Sequence, residues 1–166
     1  MDRGEQNSFL SEHYAEAMRY MDNAKDTLKK AVKEDYGYYK DKKYVKSACG
    51  IAYLGVLVAL DAWLILKGVN MPGKKKHKSI EFYMSNLARL DKKLMTVMDT
   101  LYSILHIDGY YGGITNIKAI ALGFELAYEI IEKIKPEDFV PVRETRAQGM
   151  KRTLNNLMIS FAVMFR

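Results

Sequence analysis

Ala48-Cys-Gly-Ile-Ala-Tyr-Leu-Gly-Val-Leu-Val-Ala-Leu-Asp-Ala-Trp-Leu-Ile-Leu66 is apolar on nearly every side. As a helix it either crosses a membrane or is covered all round by other helices. Its length suits a span of about twenty residues. Against a span stands Asp61, which costs about 2.5–3.5 kcal/mol near the centre of a bilayer. More decisively, the segments on either side read as amphipathic helices, and each needs an apolar surface to cover. The stretch therefore reads as the central helix of a bundle. Ala48, Ala52, Gly55, Ala59 and Ala62 alternate along it at four and three, a seam of small residues that admits a second helix at about 8 Å. Tyr44, Ile51, Val58 and Ile65 form a bulky line elsewhere on the same helix.

Before it, Ser8 or Ser11 is expected to cap a first helix that runs to about Glu34, with residues 1–7 left as a flexible N-terminal stretch. Tyr14, Met18, Met21, Leu28 and Val32, with Ala17, Ala24 and Ala31, make one apolar stripe. The turn Asp35-Tyr-Gly-Tyr-Tyr-Lys40 follows, and Asp41 caps helix two, which ends at Gly68 before Pro72-Gly73. A basic connection, Lys74-Lys-Lys-His-Lys78, reads as a solvated turn, with a phosphate-contacting loop as the sharper alternative. Helix three opens at Ser79 and ends by Asp108-Gly109, with Phe82, Leu87, Leu90, Leu94, Met98, Leu101 and Leu105 on its stripe. After Gly109-Tyr-Tyr-Gly-Gly113, Thr115 or Asn116 caps helix four, which Pro136 stops. Ala119, Gly123 and Ala127 give helix four a small-residue line, a candidate to meet the seam of helix two.

Residues 136–142 read as a linker and 143–166 as a fifth, C-terminal helix. Met150, Leu154, Leu157, Met158 and Phe161 share one of its faces. It is expected to pack alongside the bundle and help cover helix two. A second subunit or a membrane surface is the alternative. The fold expected is all-α: one helical domain over 1–166, an up-and-down four-helix bundle across 8–135 with the fifth helix beside it.

A chain of 166 residues with 49% hydrophobic and 28% charged residues has enough apolar material for one globular core and is not disordered. Its single cysteine, Cys49, excludes an intrachain disulfide and fits a reducing, cytoplasmic setting, where it reads as a small core residue. The polar N-terminus carries no secretory apolar region. A net charge of +6 permits nucleic-acid or anionic-lipid binding without requiring either.

No catalytic or metal-binding motif is found, and no cofactor is implied. His13, His77 and His106 lie in no Glu-x-x-His context, so a diiron site of the ferritin type has no ligands. One cysteine and three scattered histidines make no zinc pattern. Glycine-rich phosphate loops and Gly-x-Ser-x-Gly are absent. Glu125, Glu129 and Glu132 sit at helical spacing on what reads as a solvated face. Asp61 is the polar residue of interest: amid apolar neighbours it is paired to another helix or reaches water. The surface of interest is one end of the bundle. First and third connections of an up-and-down bundle share an end, which would gather Tyr36, Tyr38, Tyr39, Tyr110 and Tyr111 beside Lys42, Lys43 and Lys46. Aromatic rings among cations suit a protein partner or single-stranded nucleic acid; otherwise they simply close the core.

Tyr14-x-x-Ala17-x-x-Tyr20-x-x-x-Ala24 and Lys42-Lys-Tyr-Val-x-x-Ala48 resemble the first two helices of a small, uncharacterised all-helical bacterial protein family, a likeness that extends to about Ile134. That family has no assigned activity to carry over. More distantly, the pattern resembles the HEPN class of four-helix bundles, which implies nucleic-acid partners. The HEPN nuclease signature, an arginine some five to seven positions before a histidine, is missing ahead of His13, His77 and His106. The function expected is a non-enzymatic interaction or self-association module, with a non-nuclease RNA- or DNA-binding bundle as the alternative.

Overall fold

A computed structural model describes residues 1–34, 36–73 and 78–137. The expected helix over 143–166, most of the linker and the basic residues 74–77 lie outside the described residues. Those described form an all-α bundle: α1 (Arg3–Leu28), α2 (Lys42–Leu66), α3 (Ile80–Leu90), α4 (Lys92–Leu101), a π-helix (Tyr102–Gly112), α5 (Ile117–Ile131) and a closing 3₁₀ turn (Glu132–Ile134).

The first helix starts earlier than its serines suggest. Asp2 is the cap: its carboxylate accepts from Glu5 N–H while Glu5 reaches back to Asp2 N–H, a reciprocal capping box. Residues 3–7 therefore belong to α1 and not to a tail. The helix also ends at Leu28, short of Glu34.

The apolar stretch is the core of α2, and twelve of this helix's 25 residues are buried. It is long and apolar enough to cross a membrane, yet 56% of its most apolar window is covered inside the bundle. The small-residue seam meets α1. A Cβ on Gly55 would stand 2.8 Å from Tyr20 Cβ and 3.1 Å from the Ala17 carbonyl oxygen, so only glycine permits this approach. Gly123 on α5 faces elsewhere: its missing Cβ would lie 2.9 Å from Ile104 Cγ2 on the π-helix. The expected meeting of the two small-residue lines is thus corrected. The α2 seam takes α1, while the glycine of α5 makes room for the bulky Ile104 and Leu105.

The expected third helix is three pieces. Asp91 adopts an extended conformation (φ −155°, ψ 93°), and its carboxylate accepts from Leu94 N–H at 2.9 Å. It closes α3 and caps α4, which is what aspartate favours at a helix start. The helix then runs past Asp108 as the π-helix and stops at Gly113, whose φ of +67° suits glycine. Tyr110 and Tyr111 are therefore helical and not part of a loop.

Asp61 is partnered. Its Oδ1 accepts from the hydroxyl of buried Tyr83 at 2.8 Å, and its Oδ2 pairs with Lys78. Burial first, and then the bond to Asp61, pushes the Tyr83 phenol well above its ordinary range. Replacing Asp61 by Ala would strand that buried hydroxyl, which costs about 1–3 kcal/mol. Asp61→Asn keeps an acceptor and should lose less. Urea unfolding checks the order; equal stability of both variants and the parent would contradict the pairing.

Candidate functional site

The tyrosine-rich end is built by backbone pairing across two connections. Glu34 N–H donates to the Tyr38 carbonyl at 2.8 Å and Lys40 N–H to that of Val32 at 2.7 Å. Gly37, at φ +81°, makes the turn between them. Tyr39 N–H then donates to the Thr115 carbonyl at 2.8 Å, and Ile117 N–H to that of Gly37 at 3.0 Å. First and third connections thus share one end and are stitched together there.

Extended pairing sends successive side chains to opposite sides. Tyr38 points outward, 46% exposed, whereas Tyr39 is buried, so Tyr39 is a core residue and is withdrawn from the partner-facing set. Tyr36 stands almost free in solvent at 88% exposure.

The π-helix supplies the other half. Tyr102, His106 and Tyr110 follow at four-residue intervals; the His106 ring stacks on Tyr102 at 5.0 Å and on Tyr110 at 6.0 Å. Tyr53 of α2 adds a ring 4.4 Å from His106. Tyr111 meets His106 edge-on at 90°, and Tyr110 meets Tyr111 at 67°. Burial lowers the pKa of the His106 imidazole from its ordinary value.

Two glycines set this cluster against α2. A Cβ on Gly50 would lie 2.9 Å from the Tyr110 ring, and one on Gly109 would lie 2.7 Å from Cys49 Sγ. Cys49 itself is fully buried, and burial pushes its thiol up to about 12. It is therefore a packing residue and no nucleophile.

The lysines converge on the same end. Lys46 Nζ donates to the Tyr111 carbonyl at 3.1 Å, the stem of Lys42 lies against Gly113, and Lys43 Nζ sits 4.8 Å over the Tyr44 ring. None of the three forms an ion pair among the described residues. Glu34, Asp35, Asp41 and Asp108 are the nearby acids in sequence, with Glu34 and Asp108 exposed. Of the expected site residues, the structure brings together Tyr36, Tyr38, Lys42, Lys43, Lys46, Tyr110 and Tyr111.

Elsewhere the polar groups are structural. Glu132, on the expected solvated face, accepts from the Tyr14 hydroxyl at 2.7 Å, a bond that lowers the carboxyl's pKa. Among the described residues no group of three or more His, Cys, Asp or Glu is placed to hold a metal ion. The central position of His106 was missed from the sequence; the Tyr-x-x-x-His-x-x-x-Tyr spacing of 102, 106 and 110 was the signal.

Gly109→Ala tests the close contact beneath the cluster. Its Cβ would also stand 2.9 Å from the Ile104 carbonyl, so a loss of about 1–3 kcal/mol is expected in thermal unfolding. Adding Cys49→Ala should restore part of it by removing Sγ. Full stability of the single variant would contradict the contact.

Residues 12–136 match the family model described as "Domain of unknown function (DUF5618)". The chain is also similar to a solved protein of unknown function from Dyadobacter fermentans, with 41% sequence identity and a TM-score of 0.66. That match covers 74% of this chain and 94% of the other. Comparison with curated proteins finds no match. Matched by the family model over most of its length, this all-helical chain belongs to the DUF5618 family.

Proposed function

We propose that the chain is a non-enzymatic interaction module that binds an acidic protein segment through the tyrosine–lysine end of its bundle. One observation carries this reading: Lys42, Lys43 and Lys46 lack ion-pair partners among the described residues, and Tyr36, Tyr38, Tyr110 and Tyr111 are exposed at the same end. Exposed tyrosines are frequent anchors of protein interfaces. Unpaired lysines steer and select a partner of opposite charge.

Single-stranded nucleic acid, which the distant HEPN resemblance implies, would use the same lysines. Ring geometry supports the protein reading. Bases stack on open aromatic faces. Here the near-parallel row Tyr102, His106 and Tyr110 is stacked on itself at 24° and 23°, and Tyr111 closes on it edge-on at 90°, so the rings engage one another.

Fluorescence anisotropy with the full chain separates these outcomes. A labelled peptide rich in glutamate and leucine should bind at low salt. The triple variant Lys42→Ala, Lys43→Ala, Lys46→Ala should weaken it about tenfold or more. A labelled uridine oligonucleotide that binds, with a steep loss of affinity as salt rises, while the peptide does not, would replace the protein reading by the nucleic-acid one. Failure of both probes would overturn the end-face reading.

A further inference from the structure

Between its contact with α1 at Gly55 and its contact with the π-helix at Gly50, α2 leaves a strip that the described residues cover only in part. Leu54 is 48% exposed, and Tyr44, Ile51, Val58 and Ile65 are only half-buried. With Ser47 and Asp61 these positions recur at three and four along the whole helix, the heptad spacing of a helix–helix seam, with Tyr83 and Lys78 reaching its edge at Asp61. The strip widens into a pocket of about 390 Å³ beside Gly50, Ile51, Leu54, His106 and Tyr110. Walled by α1 on one side and the π-helix on the other, it is a trough. A single convex helix fits a trough; the same trough on a second copy does not.

We propose that this trough is the docking site of the chain's own residues 143–166. Met150, Leu154, Leu157 and Phe161 recur there at four, three and four, the spacing that complements a heptad seam. The lengths agree: at about 1.5 Å per residue the segment spans about 36 Å and α2 about 37 Å.

The chain's exit point agrees as well. Tyr14 bonds Glu132, and Arg3 pairs with Glu137 at 3.7 Å, so the described chain leaves beside the start of α1. Since α1 and α2 run antiparallel and cross at Ala17 and Gly55, that is the end where α2 finishes. Residues 138–142 reach at most about 17 Å, enough to turn the segment back along α2. Laid antiparallel from the level of Leu66, Leu154 and Leu157 come level with Leu54, and Phe161 with the pocket. This docking meets the tyrosine–lysine end at His106 and Tyr110 but runs along the side of α2 and needs none of Lys42, Lys43 and Lys46.

Thiol labelling of the full chain tests it. Cys49 is buried and stays silent, so Leu54→Cys reports on the trough and Tyr36→Cys, at an 88% exposed position, serves as reference. Leu54→Cys should label at least tenfold more slowly than the reference, at a rate unchanged by dilution. Adding Leu154→Asp and Leu157→Asp should bring it to the reference rate. Asn156→Asp, off the apolar stripe, should leave the protection in place. Labelling of Leu54→Cys as fast as the reference would overturn the proposal. So would protection that survives the Leu154 and Leu157 substitutions. Protection lost on dilution would show that the segment comes from a second copy, and would overturn docking within one chain.

Discussion

The close approach of α1 to α2 at Gly55 is the constraint on which the rest of the bundle depends. A helix as apolar as Lys42–Leu66 is stable in water only when its neighbours remove that surface from solvent, at about 25 cal/mol for each Å² covered. Coverage requires neighbours that come near. Gly55 admits the Ala17 carbonyl and Tyr20 on one side, while Cys49 and Gly50 admit Gly109 and Tyr110 of the π-helix on the other. With α2 gripped twice, α5 and the 3₁₀ turn close the core around Ile131 and Ile134. The tyrosine cluster follows from the second grip, because Tyr110 reaches its position only where Gly50 offers no side chain.

Asp61 shows how one charge is accommodated on this helix. Taking a carboxylate out of water without partners is costly, and a hydrogen-bonded cation offsets that cost. Lys78 and the Tyr83 hydroxyl supply both and tie the start of α3 to the far half of α2. The residue that made a membrane span doubtful is the one that fastens the third helical segment to the core.

Much of this architecture was legible beforehand, and the omissions have physical causes. Apolar spacing identifies a helix well because a stripe of Tyr14, Ala17, Met21 and Ala24 can be buried on one side only. It locates ends poorly. Asp2 and Glu5 formed a capping signal from the outset, yet Ser8 and Ser11 stood nearer the first large apolar residues. At Asp91 the stripe continues in phase across Leu87, Leu94 and Leu101, all buried, so periodicity conceals a break that the aspartate cap creates. The π-helix has the same origin: its apolar residues satisfy an α-helical pattern, and the changed hydrogen bonding shows only in three dimensions. Among the site residues, Tyr36 and Tyr38 were separable from Tyr39 only once the pairing with Thr115 was known. The seam of small residues correctly marked a close approach, but small residues do not name the helix that arrives.

Native-state hydrogen exchange tests the central claim most directly, because amides of the best-buried element open only with the whole fold. The amides from Ala52 to Leu64 should be the slowest in the protein, exchanging at the free energy of global unfolding, with α3 opening earlier. Exchange of that stretch as fast as α3, in protein that remains folded, would contradict a bundle organised around α2.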